Sequence, residues 1–483
     1  MVVEAWLERA AATAPAAFAL ETPAGSCSNT ELLARARAGA GELAARGARR
    51  GERVAIALPA GLDFACALHA CLLLGAVAVP VDLRLGERER EAIVGTAAVL
   101  VDEPLGSETA EGMPAGAVHD LDAVAAVIHT SGTTSAPKPV ELTYGNFLWS
   151  ALGSAVALGL EPGERWLCNL PPSHVGGLSI LMRSAIYGTT AVVHERFDTE
   201  LTLRALTASS EGGREPRSAG PVTLVSLVAT TLARLLDAGL ERPPALRAAL
   251  TGGGPVPAAL LDRARAAGVP VSLTYGLTEA CSQVTTLPLG ASGDPSATAA
   301  DVATHARLIP AAIGPPRSPS TASLAAPTAG PPLFCTRVRI AENGEIEVAG
   351  PTVARGVAGA DGWLRTGDLG RLNMEGNLQV TGRKADTIVS GGENVAPTEV
   401  EAVLEEHPGV LEAAAIGCAD ERWGEAVTAL VVARAGAELR GEELREHCAA
   451  RLASYKVPKQ VVLVGGPLPR TRSGKLLRRE LSR

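Results

Sequence analysis

Five short segments carry residue types whose spacing can act on a phosphorylated ligand. The first is His129-Thr130-Ser131-Gly132-Thr133-Thr134-Ser135-Ala136-Pro137-Lys138, directly after an apolar run at 124–128. Backbone N–H groups and hydroxyls in such a turn surround phosphate oxygens, and a closing lysine meets the outer phosphates. It departs from the G-x-x-x-x-G-K-[ST] pattern, because a second glycine and the Lys-Ser/Thr pair are missing. The second, Gly252-Gly253-Gly254-Pro255, leaves backbone free of side chains after an apolar run, where a flat ligand can approach closely. The third, Thr274-Tyr275-Gly276-Leu277-Thr278-Glu279, offers an aromatic face, a hydroxyl and a carboxylate within a few residues. Tyr275 can stack on a base, Thr278 can bond a phosphate, and Glu279 can hold a Mg²⁺ that carries phosphate oxygens. The fourth, Gly362-Trp363-Leu364-Arg365-Thr366-Gly367-Asp368, places an acid after a glycine turn, where it can accept two ribose hydroxyls. The fifth, Arg470-Thr471-Arg472-Ser473-Gly474-Lys475, puts a lysine on a small-residue loop. Taken singly, each is commonly an ordinary turn or, for the last, a solvated tail.

The elements that must position these segments alternate along the chain. Apolar runs at 53–58, 97–101, 124–128, 190–194, 222–226 and 269–274 read as strands, with helical periodicity at 30–46 and 230–238 between some of them. That cadence predicts layered α/β structure with mainly parallel pairing. The longest apolar run, 64–81, is interrupted by His69, Gly75 and Pro80 and reads as a buried helix leading into a strand rather than a membrane span. The stretch 289–332 is rich in Ala, Ser, Thr, Gly and Pro and reads as a long loop, and 209–220 as a surface insertion. Short strands follow at 338–341, 345–348 and 378–381. A compact α+β unit begins after Arg383, with helices at 398–406 and 442–452 and strands at 410–416, 426–433 and 461–464.

A length of 483 residues calls for more than one core. The 47% hydrophobic share is that of a globular chain, and the net charge of −8 with interspersed signs points away from nucleic acid and from a polybasic membrane contact. Eight scattered cysteines with no C-x-x-C pair argue against zinc and against a disulfide framework. The N-terminal nine residues read as the start of an acidic amphipathic helix and not as a signal peptide, and Arg478-Arg479 as a solvated helix face. The expectation is a cytoplasmic protein without membrane insertion, with homo-oligomerisation left open.

In this order and spacing, the five segments resemble those of the acyl-adenylate-forming superfamily of acyl-CoA synthetases, luciferases and peptide-synthetase adenylation domains. The likeness runs from Glu31 to Leu481. Arg165-Trp166-Leu167, Pro171-Pro172-Ser173-His174-Val175-Gly176-Gly177-Leu178-Ser179 and Tyr187-Gly188 are most similar to the o-succinylbenzoate–CoA ligases of menaquinone biosynthesis, as are Gly252-Gly253-Gly254-Pro255 and Thr278-Glu279-Ala280-Cys281-Ser282-Gln283. The resemblance implies an α/β fold: a large layered N-terminal domain at 1–383 with a distorted β-barrel portion, and a small α+β C-terminal domain at 384–483. It implies adenylation of o-succinylbenzoate by ATP with Mg²⁺, then transfer to coenzyme A. A CoA ligase for another aryl or medium-chain acid, an adenylation domain serving a carrier protein, and a nucleotide-binding relative without turnover stay open as alternatives.

The resemblance also implies roles. Thr130, Ser131, Gly132, Thr133, Thr134 and Lys138 form the phosphate loop, and Gly252, Gly253, Gly254 and Tyr275 frame adenine. Thr278 meets the α-phosphate and the substrate carboxylate, Glu279 holds the metal, and Asp368 and Arg383 bind ribose. His174 and Ser282 line the acyl side. Gly391, Gly392 and Glu393 face the thiol, residues 383–386 contain a hinge, and Lys475 bridges carboxylate and α-phosphate. The chain departs from the family where Tyr, Gly and Gly are usual and it has His129, Ser135 and Pro139, a change bearing on phosphate-loop mobility and ATP affinity.

Overall fold

The computed structural model describes residues 1–106, 116–130, 138–208, 220–289, 327–390, 393–420, 423–470 and 476–481. Two mainly parallel sheets make the large N-terminal domain. One has eight strands, in spatial order Ser282–Thr286, Val271–Leu277, Ala248–Thr251, Leu224–Leu227, Arg165–Cys168, Thr190–Val193, Phe18–Thr22 and Gly25–Ser28. Its inner pairs are parallel, and the outermost pair at each edge is antiparallel. The other has five strands: Val99–Val101, Arg53–Ile56, Val77–Pro80, Val124–Thr130 and Lys138–Thr143, the last antiparallel to its neighbour.

Local rules account for the helices between the sheets. Helix Asn29–Ala45 starts where Ser28 and Glu31 cap one another, Glu31 N donating to Ser28 Oγ (3.2 Å) and Ser28 N to Glu31 Oε2 (2.8 Å). Its buried face, Leu32, Leu33, Ala36, Ala40 and Leu43, recurs at helical spacing and packs on helix Leu62–Leu74. That second helix is buried from Phe64 to Leu73, the all-round apolar pattern of an interior helix, and leads into strand Val77–Pro80 as its sequence predicts. Burial pulls its His69 down to about 4, so the imidazole inside is neutral.

The barrel-like portion is an antiparallel sheet of Arg337–Ile340, Glu345–Ala349, Leu364–Leu372 and Leu378–Arg383. It joins the eight-stranded sheet through residues 329–333: Ala329 N and Leu378 O, Gly330 O and Leu378 N, and Leu333 N and Val284 O are hydrogen-bonded. The small C-terminal domain is a sheet ordered Glu393–Val395, Ile388–Ser390, Gly424–Ala433 and Val410–Asp420, with Gln460–Leu463 parallel to Gly424–Ala433. Helices Pro397–Glu405 and Gly441–Ala449 cover it. Among the described residues, no helix is long and apolar enough to cross a membrane.

Two expectations are corrected. The chain does not start as a helix: Val2–Glu4 pairs antiparallel with Val118–Asp120, and the helix begins at Trp6. The β-branched Val2-Val3 pair suits a strand, and burial of Trp6 against His119 and Tyr144 (ring centroids 4.7 and 5.7 Å) sets where the helix can begin. Nor is Arg478 on a solvated face. Its side chain is 16% exposed and grips Glu401 with both Nη atoms, while Nη1 donates to the Ala415 carbonyl (3.0 Å) and Nε lies 3.4 Å from Asp386 Oδ2. A buried bidentate pair outweighs the exposure that two adjacent arginines would suggest.

Candidate active site

The two sheets present the carboxyl ends of their parallel strands, the side where open α/β sheets bind ligands. Thr130 ends strand Val124–Thr130 and Lys138 starts its return strand; the two are register partners, and Thr130 Oγ1 donates to Lys138 O (3.3 Å). Ser131, Gly132, Thr133 and Thr134, together with Ser135, lie outside the described residues, as do Gly391, Gly392 and Lys475. Pro139 falls in the edge strand of its sheet, where a missing N–H need not break a ladder.

Gly252 sits where strand Ala248–Thr251 ends, so close to the next strand that a methyl group on it would lie 2.6 Å from the Thr274 carbonyl oxygen. Gly253 and Gly254 follow, exposed. Tyr275 lies within strand Val271–Leu277 and is 9% exposed. Its hydroxyl donates to Asp368 Oδ2 at 2.8 Å, and Arg383 Nε donates to Asp368 Oδ1 at 2.7 Å. Two residues, one of them 93 positions away in sequence, thus converge on one buried carboxylate. Burial and the Asp368 charge push the Tyr275 phenol up, so it donates at every working pH. Asp368 itself sits mid-strand in Leu364–Leu372, opposite Arg383, rather than at the end of a turn. An ionised carboxylate has about four lone-pair sites, so after Tyr275 and Arg383 it can still accept two hydroxyls.

Thr278 and Glu279 open a short 3₁₀ turn, Thr278–Ala280. The Glu279 carbonyl accepts from Ala354 N (2.8 Å), which fixes the backbone, while the residue as a whole is half-exposed. Among the described residues, no group of three or more His, Cys, Asp or Glu side chains could hold a metal ion. A divalent cation at Glu279 would therefore have to bring oxygens with it, as Mg²⁺ bound to phosphates does. Cys281 and Ser282 follow with φ of +52° and +87°, unusual for side-chain-bearing residues. Space for Ser282 exists because position 276 is glycine: a Cβ there would lie 1.7 Å from the Ser282 carbonyl oxygen.

His174 precedes helix Val175–Tyr187 and is half-exposed, with Nε2 3.1 Å from Arg84 Nη2 and 3.7 Å from Asp82 Oδ2. Burial and the Arg84 charge hold it below the usual histidine range, against the opposing pull of Asp82. Glu393, itself exposed, opens an edge strand of the small domain. Between strands Leu378–Arg383 and Ile388–Ser390, Lys384–Asp386 forms a 3₁₀ turn whose Lys384 Nζ donates to Glu345 Oε2 (3.2 Å).

Besides Asp82 and Arg84 next to His174, a buried arginine escaped sequence reasoning. Arg183 is 2% exposed. Its Nη2 donates to Ser150 Oγ (3.1 Å), which donates to the Cys281 carbonyl (2.7 Å), and its guanidinium carbon lies 5.3 Å from the Trp166 ring centroid. Its Nε has no hydrogen-bond partner and, among the described residues, no carboxylate pairs with it. An arginine in the apolar run Ser179-Ile180-Leu181-Met182-Arg183-Ser184-Ala185 was the available signal.

The sequence matches the model of the AMP-binding enzymes over residues 7–102 and 97–358, and that of the AMP-binding enzyme C-terminal domain over 399–475. The chain belongs to the AMP-binding enzyme family. Within it, the 2-succinylbenzoate–CoA ligase of Bacillus subtilis (strain 168) is 36% identical, with 99% of this chain and 97% of the relative aligned. A solved structure of o-succinylbenzoate CoA synthetase from Bacillus subtilis, in complex with its acyl-adenylate intermediate, superposes with a TM-score of 0.82 at 34% identity, covering 100% and 99% of the two chains. A double mutant of that synthetase bound to a CoA product analogue, again 34% identical and covering 100% and 98%, superposes less well, at 0.67.

Proposed function

We propose that the protein is an o-succinylbenzoate–CoA ligase that works through an acyl-adenylate. In the first half-reaction a carboxylate oxygen of the succinyl arm attacks the α-phosphorus of ATP, the P–O bond to the β-phosphate breaks, and pyrophosphate leaves. In the second, the CoA sulfur attacks the acyl carbon, the C–O bond to AMP breaks, and the thiol proton passes to solvent.

The residues divide the work. Asp368, held by Tyr275 and Arg383, receives the ribose hydroxyls, and Gly252, Gly253, Gly254 and Tyr275 frame the adenine. Thr130 and Lys138, with the loop between them, hold the outer phosphates, while Thr278 meets the α-phosphate and Lys475 brings a cation to the developing charge. When bound, Mg²⁺ on Glu279 neutralises phosphate oxygens. Gly391, Gly392 and Glu393 belong to the thiol side. The boundary between domains falls at 383/384, and residues 383–386 are the hinge about which the small domain exchanges Lys475 for the thiol side. Eight cysteines without a disulfide fit the reducing cytoplasm.

The observation that carries the identity of the acid is Arg183. A guanidinium 2% exposed and, among the described residues, without a carboxylate partner is costly to keep, and it is tied through Ser150 to the Cys281 carbonyl, one residue from Ser282. An acid with a second carboxylate, as on the ring of o-succinylbenzoate, supplies the missing charge. The test is pyrophosphate release from ATP with a panel of aryl and medium-chain acids, followed by thioester formation with CoA. Turnover is expected to favour o-succinylbenzoate on the order of a hundredfold. Indifference to it, with another acid turned over, would overturn the reading. Acylation of a carrier-protein phosphopantetheine arm but not of free CoA would do so as well.

A further inference from the structure

Asp82 and Arg84 follow strand Val77–Pro80 of the five-stranded sheet, whereas His174 is reached from strand Arg165–Cys168 of the eight-stranded one. Their contact bridges the seam between the two sheets. Arg84 is rigidly held: Nε donates to Asp82 Oδ1 (2.8 Å), Nη2 to Oδ2 (2.7 Å), and its backbone N to Oδ1 (3.0 Å). The same Nη2 lies 3.1 Å from His174 Nε2. Arginine only donates, so Nε2 must accept, and the proton of the neutral ring is on Nδ1.

We propose that Arg84, braced by Asp82, is a positioning residue that fixes the ring direction and tautomer of His174 at the rim of the acyl pocket, so that the imidazole keeps water from the acyl-adenylate. This rests on the assignment of His174 to the acyl side made above. The reaction suppressed is hydrolysis: water oxygen attacks the acyl carbon, the C–O bond to AMP breaks, free acid and AMP leave, and the water proton passes to solvent.

The experiment measures AMP release from o-succinylbenzoate and ATP without CoA, beside ATP–pyrophosphate exchange. Arg84→Met is expected to raise CoA-independent AMP release by roughly tenfold, with exchange changed less than about twofold. His174→Ala should leak as much, and the double variant no more than His174→Ala alone, because Arg84 acts through the ring. Nitrogen NMR of the imidazole should show Nε2 unprotonated in the native enzyme and a mixed tautomer in an Arg84→Met enzyme that keeps its ATP–pyrophosphate exchange, a combination that loss of fold would not give. Should Arg84→Met fail to fold, Asp82→Asn carries the same expectations. If His174→Ala leaks and Arg84→Met does not, or if the two effects add, the positioning role is overturned while the acyl-side assignment stands. If His174→Ala itself does not leak, that assignment falls and takes this proposal with it.

Discussion

Replacing Arg183 with methionine tests the acid's identity directly. Methionine fills much of the same volume without charge, and Ser150 keeps its bond to the Cys281 carbonyl, so the backbone around Ser282 retains its tether. In the native enzyme the ring carboxylate of o-succinylbenzoate would meet a guanidinium that is 2% exposed. Breaking a buried pair by removing one partner costs about 3 kcal/mol or more, which corresponds to a loss on the order of a hundredfold in kcat/KM for adenylation. For 4-oxo-4-phenylbutanoate, the same acid without the ring carboxylate, the native enzyme has no ion pair to lose, and kcat/KM should change by less than about threefold. The assay is ATP–pyrophosphate exchange with both acids and both enzymes, and the interaction between substitution and substrate is the quantity that matters. Unliganded Arg183→Met should also be at least as heat-stable as the native protein, since an unpaired buried charge is removed. Equal losses for the two acids, or an interaction below about 1 kcal/mol, would refute the reasoning.

Two further predictions come from the same structure. Tyr275→Phe removes one of the two donors to Asp368, a hydrogen bond to a charged group worth about 1.5 kcal/mol, so KM for ATP should rise roughly tenfold in steady-state assays with kcat changed less; an unchanged KM would mean that Asp368 does not need the phenol. Half-buried beside Glu401, Glu405 is pushed up from 4.5 to about 7 by desolvation and the Glu401 charge, so its contribution to stability is complete below the unfolded value and is lost as pH rises to about 7. Over that interval it amounts to at most about 3 kcal/mol, and in urea unfolding at pH 5 and pH 8 Glu405→Gln should be close to native at the lower pH and more stable at the higher; parallel behaviour at both would count against it.

The sequence made the nucleotide side legible because its residues come in short contiguous runs, each fixed by local backbone needs. The glycines at 252–254 and Thr278–Glu279 lie at strand ends, as their runs require. Asp368 was recognisable as an acid after glycine, but its place in mid-strand was not, since a strand carrying Gly367 and Gly370 reads as a turn. The brace on His174 was out of reach for a different reason. Arg84 lies 90 residues away in sequence from the ring it holds, with Asp82 two residues before it, on another sheet, and nothing local in either segment announces the other. Arg478 was misread for the same cause: its exposure depends on Glu401 and Asp386, neither of them near it in the chain.

The two sides of the cleft are built on opposite principles. On the nucleotide side, Asp368 has its partners before ligand arrives, because Tyr275 and Arg383 already donate to it. On the acyl side, Arg183 lacks an acidic partner among the described residues, and Cys281 and Ser282 hold positive φ, each at a cost of about 1–3 kcal/mol. A common cosubstrate has its ribose met by a carboxylate already held in place, and binding it reports little about the acid. The acid meets a site that is costly until a second carboxylate arrives, so the native enzyme discriminates most strongly against acids that lack one. A buried polar group left unpaired by the wrong ligand rejects far more effectively than a pocket of the wrong size. That is a physical reason for a ligase to keep a desolvated guanidinium where a hydrophobic side chain would make the unliganded protein more stable.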